Sequence, residues 1–512
     1  MSIFTSVAFR RPKSSTFNLT HQRKFSMDMG LLTPILCQET LPGDKWNIST
    51  QQILRLQPML TPMMHDVNVT IHFFKVPNRI LWKNWEDFIT GGKSGLDMHL
   101  KPTVNLDQCC YNDGTQPGKM NYKLADYLGL PSKPYMTDIE RSKFNGEKID
   151  ILPFLAYQKI YNEFYRDQNL QEDLDEDLFN NINDGDNSYL LGFSPMLFSL
   201  RRRAWNHDYF TSCLPFAQKG NAVKLPLGGT APLINIDGST RINNADGDPL
   251  TTSGDLVNNL GNMQSGSYLG AQADVTEHTL ADLSNATSAT VTDLRRAFKL
   301  QEWLEKNARA GSRYVEMLLA HFGIRSSDGR LQRPEFLGGS TSPIMISEVL
   351  QTSQTDTSPQ GNMSGHGLNL GNGGTISTFC EEHGWIIGIM SVMPKSSYQQ
   401  GIPRSFQKDD KFDYFWSEFE HIGEQEVLNK EIYCDVTDNK NNGVFGYSPR
   451  YAEYKYIQSS VHGDFKDTLD FWHMGRIFDN RPVLNENFIK CIPTNRTFAV
   501  PDAENKVLFF TG

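Results

Sequence analysis

The run from Asp66 to Lys75, DVNVTIHFFK, alternates with a period of two. Val67, Val69, Ile71 and Phe73 fall on one face, and Asn68, Thr70 and His72 on the other. That spacing predicts a half-buried strand, with His72 a strand residue rather than a metal ligand. A second run, WIIGIMSV from Trp385 to Val392, is apolar on both faces and is ended by Pro394. It predicts a central strand lying between two layers. A sheet that must be covered on both sides confines the chain to a layered, mainly β fold.

The rest of the composition agrees. Charged residues make up 21% and hydrophobic residues 38%, the balance of a globular chain rather than a disordered one. Gly, Pro, Asn, Ser and Thr fill the stretches between apolar runs, as a loop-rich β protein requires. At 512 residues there is room for one large core with sizeable insertions, or for two to three ordinary domains.

Helices are few and read as insertions. Asn78 to Thr90 sets Leu81, Trp85 and Phe88 on one side and stops at Gly91-Gly92. Pro153 to Asp167 repeats Phe154, Tyr157, Tyr161 and Phe164 or Tyr165 at helical spacing, a packing face rather than a ligand box. The longest starts at a capping box, Thr290 to Asp293, carries Leu294, Ala297, Phe298, Leu304 and Ala308, breaks at Gly311, and resumes through Phe322 to Gly323. Two polar stretches have little apolar periodicity: 220–289 reads as a surface excursion, and 353–374 as a flexible loop.

The charge is unevenly placed. Residues 1–27 contain no acid but hold Arg10, Arg11, Lys13, Arg23 and Lys24, interleaved with Phe9, Phe17 and Phe25. Such a segment is either a solvated tail or an arm lying near phosphate. Arg201, Arg202 and Arg203 form the densest basic cluster. They read either as a solvated or salt-bridged face or as phosphate contacts, with Trp205 or Tyr209 stacking on a base. The whole chain nevertheless carries a net charge of −10, which argues against a simple nucleic-acid-binding monomer.

Catalytic chemistry is hard to find. Gly91-Gly92-Lys93-Ser94 has Asp87 where a phosphate-binding loop needs its first glycine. Asn183-Asp184-Gly185-Asp186 and Asp246-Gly247-Asp248 resemble fragments of calcium loops but miss the register, so they read as turns, leaving open a weak divalent ion between subunits. His65 with His72, and His462 with His473, are too far apart for one helical face. The seven cysteines are odd in number and scattered, and Cys109 beside Cys110 would make a strained ring, so free thiols are expected. Without a signal sequence or an apolar run of ~18 residues, a cytoplasmic origin is expected. Glu381 with Glu382 and Glu418 with Glu420 keep open a β-sandwich carbohydrate hydrolase, and the long polar stretch keeps open a lectin-like adhesin.

Several blocks taken together resemble the major capsid protein of the Microviridae, in its gokushovirus branch. They are RPKSSTFNLTHQRKFSMDMGLLTPI near the start, LPGDKWNI (Leu41 to Ile48), PNRILWKNWEDFITGG (Pro77 to Gly92) and LPFLAYQKIYNEFYRDQNLQ (Leu152 to Gln171). RRRAWNHDYFTSCLPFAQKG follows from Arg201 to Gly220, then the block from Leu294 to Ser342, VFGYSPRYAEYKY from Val444 to Tyr456, and Leu469 to His473. They run in family order over most of the chain.

The resemblance implies a non-enzymatic shell subunit. Its expected fold is mainly β: an eight-stranded antiparallel jelly-roll β-barrel with inserted helices and long loops. Residues 1–60 would form a basic arm and extended segment, and 61–512 a single capsid domain. Sixty copies would build a T=1 icosahedral shell around circular single-stranded DNA, with 220–289 forming threefold protrusions that meet a host surface receptor. Expected partners are other copies of the chain, an internal scaffolding protein, a pilot protein and a small basic DNA-binding protein. Assembly is expected in the bacterial cytoplasm. Trp82, Trp85, Trp205, Tyr447, Tyr451 and Trp472 are candidates for packing or for interfaces, where aromatics are enriched. An acidic shell around a polyanion then needs its basic residues, those of the arm and of 201–203, sorted to the inner face.

Overall fold

The computed structural model describes residues 14–106, 124–131, 147–174, 182, 184–185, 197–223, 233–235, 279–281, 290–355, 359–436, 439–500 and 506–511. The chain divides into two compact units, Gln218–Asn307 and the remainder.

Most of the larger unit is two antiparallel sheets. Its strands are β1 (Arg23–Met27), β2 (Thr33–Thr40), β3 (Lys45–Leu56), β4 (Val67–Pro77), β9 (Glu335–Pro343), β10 (Met345–Leu350), β11 (Met363–Phe379), β12 (Gly384–Pro394) and β15 (Val507–Thr511). One sheet has five strands in the order β1-β15-β3-β11-β10, the other four in the order β2-β12-β4-β9. The remaining strands form two-stranded ribbons: β5 (Thr103–Asn105) with β6 (Lys148–Asp150), β7 (Leu233–Asn235) with β8 (Thr279–Ala281), and β13 (Glu424–Leu428) with β14 (Val444–Pro449). The β7–β8 pair belongs to the smaller unit.

Three pairings are nested. β4 pairs with β9, β3 with β11, and β2 with β12, so the chain runs out along one side of a long ribbon and returns along the other. β12 then also pairs with β4. Among the described residues the two sheets stay separate and no ladder joins them into a closed barrel.

Side-chain alternation explains the layering. Val67, Val69, Ile71 and Phe73 of β4 and Ile386, Met390 and Val392 of β12 point toward the five-stranded sheet, meeting Leu54, Leu56 and Phe509. The opposite faces present Phe74, Val76, Ile387 and Ile389 to a second core built on the helix Leu152–Ile160, with Trp82 and Trp85. β12 is thus central, as its sequence predicts. β4 is more buried than alternation alone predicts: Thr70 on its polar face is buried, and the half-buried His72 there packs against Tyr165 and Phe336. A side chain as fully sequestered as Phe74 contributes about 1.5–3 kcal/mol by its burial.

The helices follow the predicted punctuation with one break. Asn78 to Thr90 is a 3-10 turn, Asn78–Ile80, followed by the helix Trp85–Thr90 capped by Gly91 at φ 75°. The interruption lets the neighbours Leu81 and Trp82 both reach one core. Leu152–Ile160 widens into a π turn, Tyr161–Tyr165. Val291–Ala310 is capped by Thr290, whose Oγ1 accepts the Asp293 N–H at 3.1 Å, and Gly311 at φ 103° separates it from Tyr314–Phe322.

Residues 23–56 supply β1, β2 and β3 to the two sheets. Residues 363–374 belong to β11, a strand of 17 residues. Glycines hide the strand pattern there because bare backbone is needed: a Cβ on Gly365 would fall 2.2 Å from the Thr61 carbonyl oxygen, and one on Gly367 2.6 Å from Leu56. A register shift between Asn372 and Thr375 marks the bulge at Gly373-Gly374. Among the described residues no helix is long and apolar enough to cross a membrane.

Candidate nucleic-acid and assembly surfaces

The basic residues expected to face DNA behave differently from one another. Arg10, Arg11 and Lys13 lie outside the described residues. Arg23 and Lys24 alternate on β1. Arg23 turns inward, its Nη2 donating to the Tyr127 carbonyl at 2.6 Å, and burial pulls its guanidinium pKa down. Lys24 faces out, with Nζ 5.6 Å from the centre of the Phe510 ring.

The triplet Arg201 to Arg203 is engaged by its own chain. Arg201 Nε donates to Gln158 Oε1 at 2.7 Å, and its guanidinium lies 5.1 Å from the Tyr161 ring centre. Arg202 pairs with Asp28 at 2.7 Å and donates to the Met29 and Cys491 carbonyls. Arg203 Nη1 donates to Ser391 Oγ at 2.9 Å and sits over Tyr165. Burial lowers the pKa of Arg201 and Arg203. All three are thus engaged within the chain, Arg202 alone by an ion pair, and Trp205 packs inward against Met393 and Cys491.

Of the other singled-out aromatics, Trp82 and Trp85 lie in the core and Tyr451 packs against Phe415. Trp82, Trp85 and Tyr451 are buried, while Tyr447 and Trp472 are half-buried. Tyr447 exchanges backbone hydrogen bonds with Leu214, and the Trp472 carbonyl accepts the Met64 N–H. One group of exposed aromatics lies on the segment KFDYFWSEF from Lys411 to Phe419 and on Phe406 and Tyr454. The sequence signal for them was aromatics alternating with acids at no helical or strand period.

The acidic pairs do not build a hydrolytic pair. Glu382 is held by Arg79 through two bonds of 2.9 and 3.0 Å, and Glu420 by Lys455 at 2.7 Å. Asp184, in one of the calcium-like fragments, accepts from Asn84 and lies 2.6 Å from His99 Nδ1, so its carboxylate ties a turn together. The other fragment, Asp246 to Asp248, lies outside the described residues, as do Cys109 and Cys110. Among the described residues no group of three or more His, Cys, Asp or Glu is placed to hold a metal. Cys37, Cys213, Cys380, Cys434 and Cys491 are free thiols, and burial pushes Cys37 up to about 12, far from a reactive thiolate.

Comparison with known proteins accounts for a molecule rich in packing and poor in catalytic geometry. The family model described as "Capsid protein (F protein)" matches residues 4–509. The chain is 36% identical to capsid protein VP1 of Chlamydia phage 1, over 99% of this chain and 94% of the relative. It is 35% identical to capsid protein VP1 of Bdellovibrio phage phiMH2K, over 95% and 90%, and 32% identical to that of Spiroplasma virus 4, over 96% and 90%. These are the gokushovirus-type relatives that the ordered sequence blocks anticipate, and their role is structural rather than enzymatic. The chain belongs to the phage capsid protein (F protein) family.

Proposed function

We propose that this chain is the repeating subunit of a T=1 icosahedral virion shell, sixty copies enclosing circular single-stranded DNA. The observation that carries this reading is the family match over residues 4–509. The fold supports it. Nested antiparallel pairs in which successive strands β2, β3 and β4 cross from sheet to sheet are what a long hairpin wrapped into a jelly roll produces. In this reading 220–289 builds threefold protrusions that contact a host receptor. The shell is assembled in the host cytoplasm with an internal scaffolding protein, a pilot protein and a small basic DNA-binding protein.

The inner face carries the basic arm. With Arg201 to Arg203 held by their own chain, Arg10, Arg11 and Lys13 are the residues of choice for phosphate. Electron microscopy of particles made by co-expressing the chain with the phage's assembly proteins tests the reading. Uniform closed particles of one diameter are expected; small soluble oligomers or amorphous aggregates would overturn it.

A further inference from the structure

Residues 404–422 and 451–457 place ordered aromatic rings at the surface. Phe406 is 81% exposed, Trp416 45% and Tyr454 49%. They do not dangle: Trp416 Nε1 donates to the Lys411 carbonyl at 2.8 Å, the Phe415 and Tyr451 rings are 5.0 Å apart, and the Phe415 N–H reaches the Tyr454 hydroxyl. A fixed apolar ledge of this kind marks an interaction surface.

Two partners suit exposed aromatics: the bases of single-stranded nucleic acid, or protein. Base stacking is coupled to a positive groove that tracks the phosphates. This ledge is acidic instead. Asp409, Asp410, Asp413, Glu418, Glu420 and Glu453 outnumber Arg404, Lys408, Lys411 and Lys455, and Lys408 and Lys411 are drawn over the ledge's own rings. Phosphates would be repelled; a basic, apolar protein face would not.

The same chain presents such a face. On the outer side of the five-stranded sheet, Lys24, Phe510, Ile53 and Leu370 lie opposite one another on β1, β15, β3 and β11. The neighbouring row runs Leu508, Arg55, Leu368 and Met345. Leu370 is 69% exposed and Met345 76%. Lys24, Lys45 and Arg55 outnumber the acid Glu348 on these strands' exposed positions.

We infer that the aromatic ledge of one copy packs against the outward face of the five-stranded sheet of a second copy. This rests on the shell-subunit reading and adds the contact by which subunits join. The two surfaces differ, so the contact is head-to-tail, and such contacts close into rings when the rotation between copies permits. Aromatic anchors meet apolar strand residues at its centre, and acids of the ledge meet Lys24 and Arg55 at its rim.

Hydroxyl-radical footprinting of the full chain as dissociated subunits, empty shells and genome-filled particles tests this. Phe406, Trp416, Met345 and Leu370 should oxidise roughly tenfold more slowly in empty and filled particles alike, because interface cores pack as densely as protein interiors. Protection in filled particles alone would mean that nucleic acid covers the ledge, and would overturn the inference. Unchanged reactivity in both, or protection of the ledge while Met345 and Leu370 stay reactive, would overturn it as well. Failure to form any particle would remove the shell reading itself, a result distinct from a particle whose ledge remains reactive.

Discussion

Arg202 Nη2 lies 2.7 Å from Asp28 Oδ2, and its Nη1 donates to the carbonyls of Met29 and Cys491. One guanidinium thereby ties the segment before β2 to residues near position 202 and position 491. Arg202→Ala should cost about 2–3 kcal/mol, the scale of charge-assisted bonds in a half-buried site. The urea midpoint of the purified subunit measures this. The salt dependence of single-stranded DNA binding should stay as it is; a slope reduced by about 1 would instead identify Arg202 as a phosphate contact.

Gly30 and Gly43 both have positive φ, at 79° and 95°, but their surroundings differ. A Cβ on Gly30 would fall 2.2 Å from the Cys491 carbonyl oxygen, whereas one on Gly43 meets nothing within 4 Å. Gly30→Ala should destabilise by roughly 2–3 kcal/mol and Gly43→Ala by about 1 kcal/mol, since only the first adds a backbone clash to the strain. Equal urea midpoints for the two variants would contradict this account.

His72 is held neutral. Burial first, and then the nearby Arg203 charge, bring its pKa from the ordinary 6.5 down to about 4, and Nδ1 lies 2.8 Å from the Tyr165 hydroxyl. In the folded chain it therefore binds fewer protons than in the unfolded chain between these values. Its contribution is fully present above pH 6.5 and is lost as pH falls toward 4, by up to about 3 kcal/mol. Burial lowers His65 and His473 in the same direction, so the comparison must isolate His72. His72→Phe should flatten the fall in urea midpoint between pH 7 and pH 4.5; an unchanged slope would show that His72 does not titrate on unfolding.

Replacing Arg10, Arg11 and Lys13 together with Ala should lower the yield of genome-filled particles while empty shells still form. Sedimentation in a density gradient separates the two populations. Unchanged packaging would remove the inward-facing arm from the account, because losing three phosphate contacts weakens nucleic-acid binding steeply at physiological salt.

Legibility in the sequence followed burial. β4 announces itself by its period of two and β12 by an unbroken apolar run, each a direct imprint of the faces it covers. β11 did not, since close backbone contact at Gly365 and Gly367 demanded residues that read as loop. The arginine triplet showed how little charge density says about direction. The partners that claim it, Asp28, Gln158 and Ser391, are 43 to 188 residues away, and only the fold brings them near. The family, by contrast, was legible from ordered blocks alone. Of the aromatic ledge only Tyr451 stands out in the sequence, because exposed rings leave no periodic trace.

β1 and β15 pair antiparallel at one edge of the five-stranded sheet, with Arg23 opposite Thr511. Whatever precedes Arg23 and whatever follows Thr511 therefore leave the sheet at the same corner. A short peptide epitope fused beyond Thr511 shares the starting point of the basic arm, and antibody access to it in intact particles would report which side of the shell that corner faces. Arg23 and Thr511 are one address, and whatever is joined to the chain beyond either sets out from the same corner of the sheet.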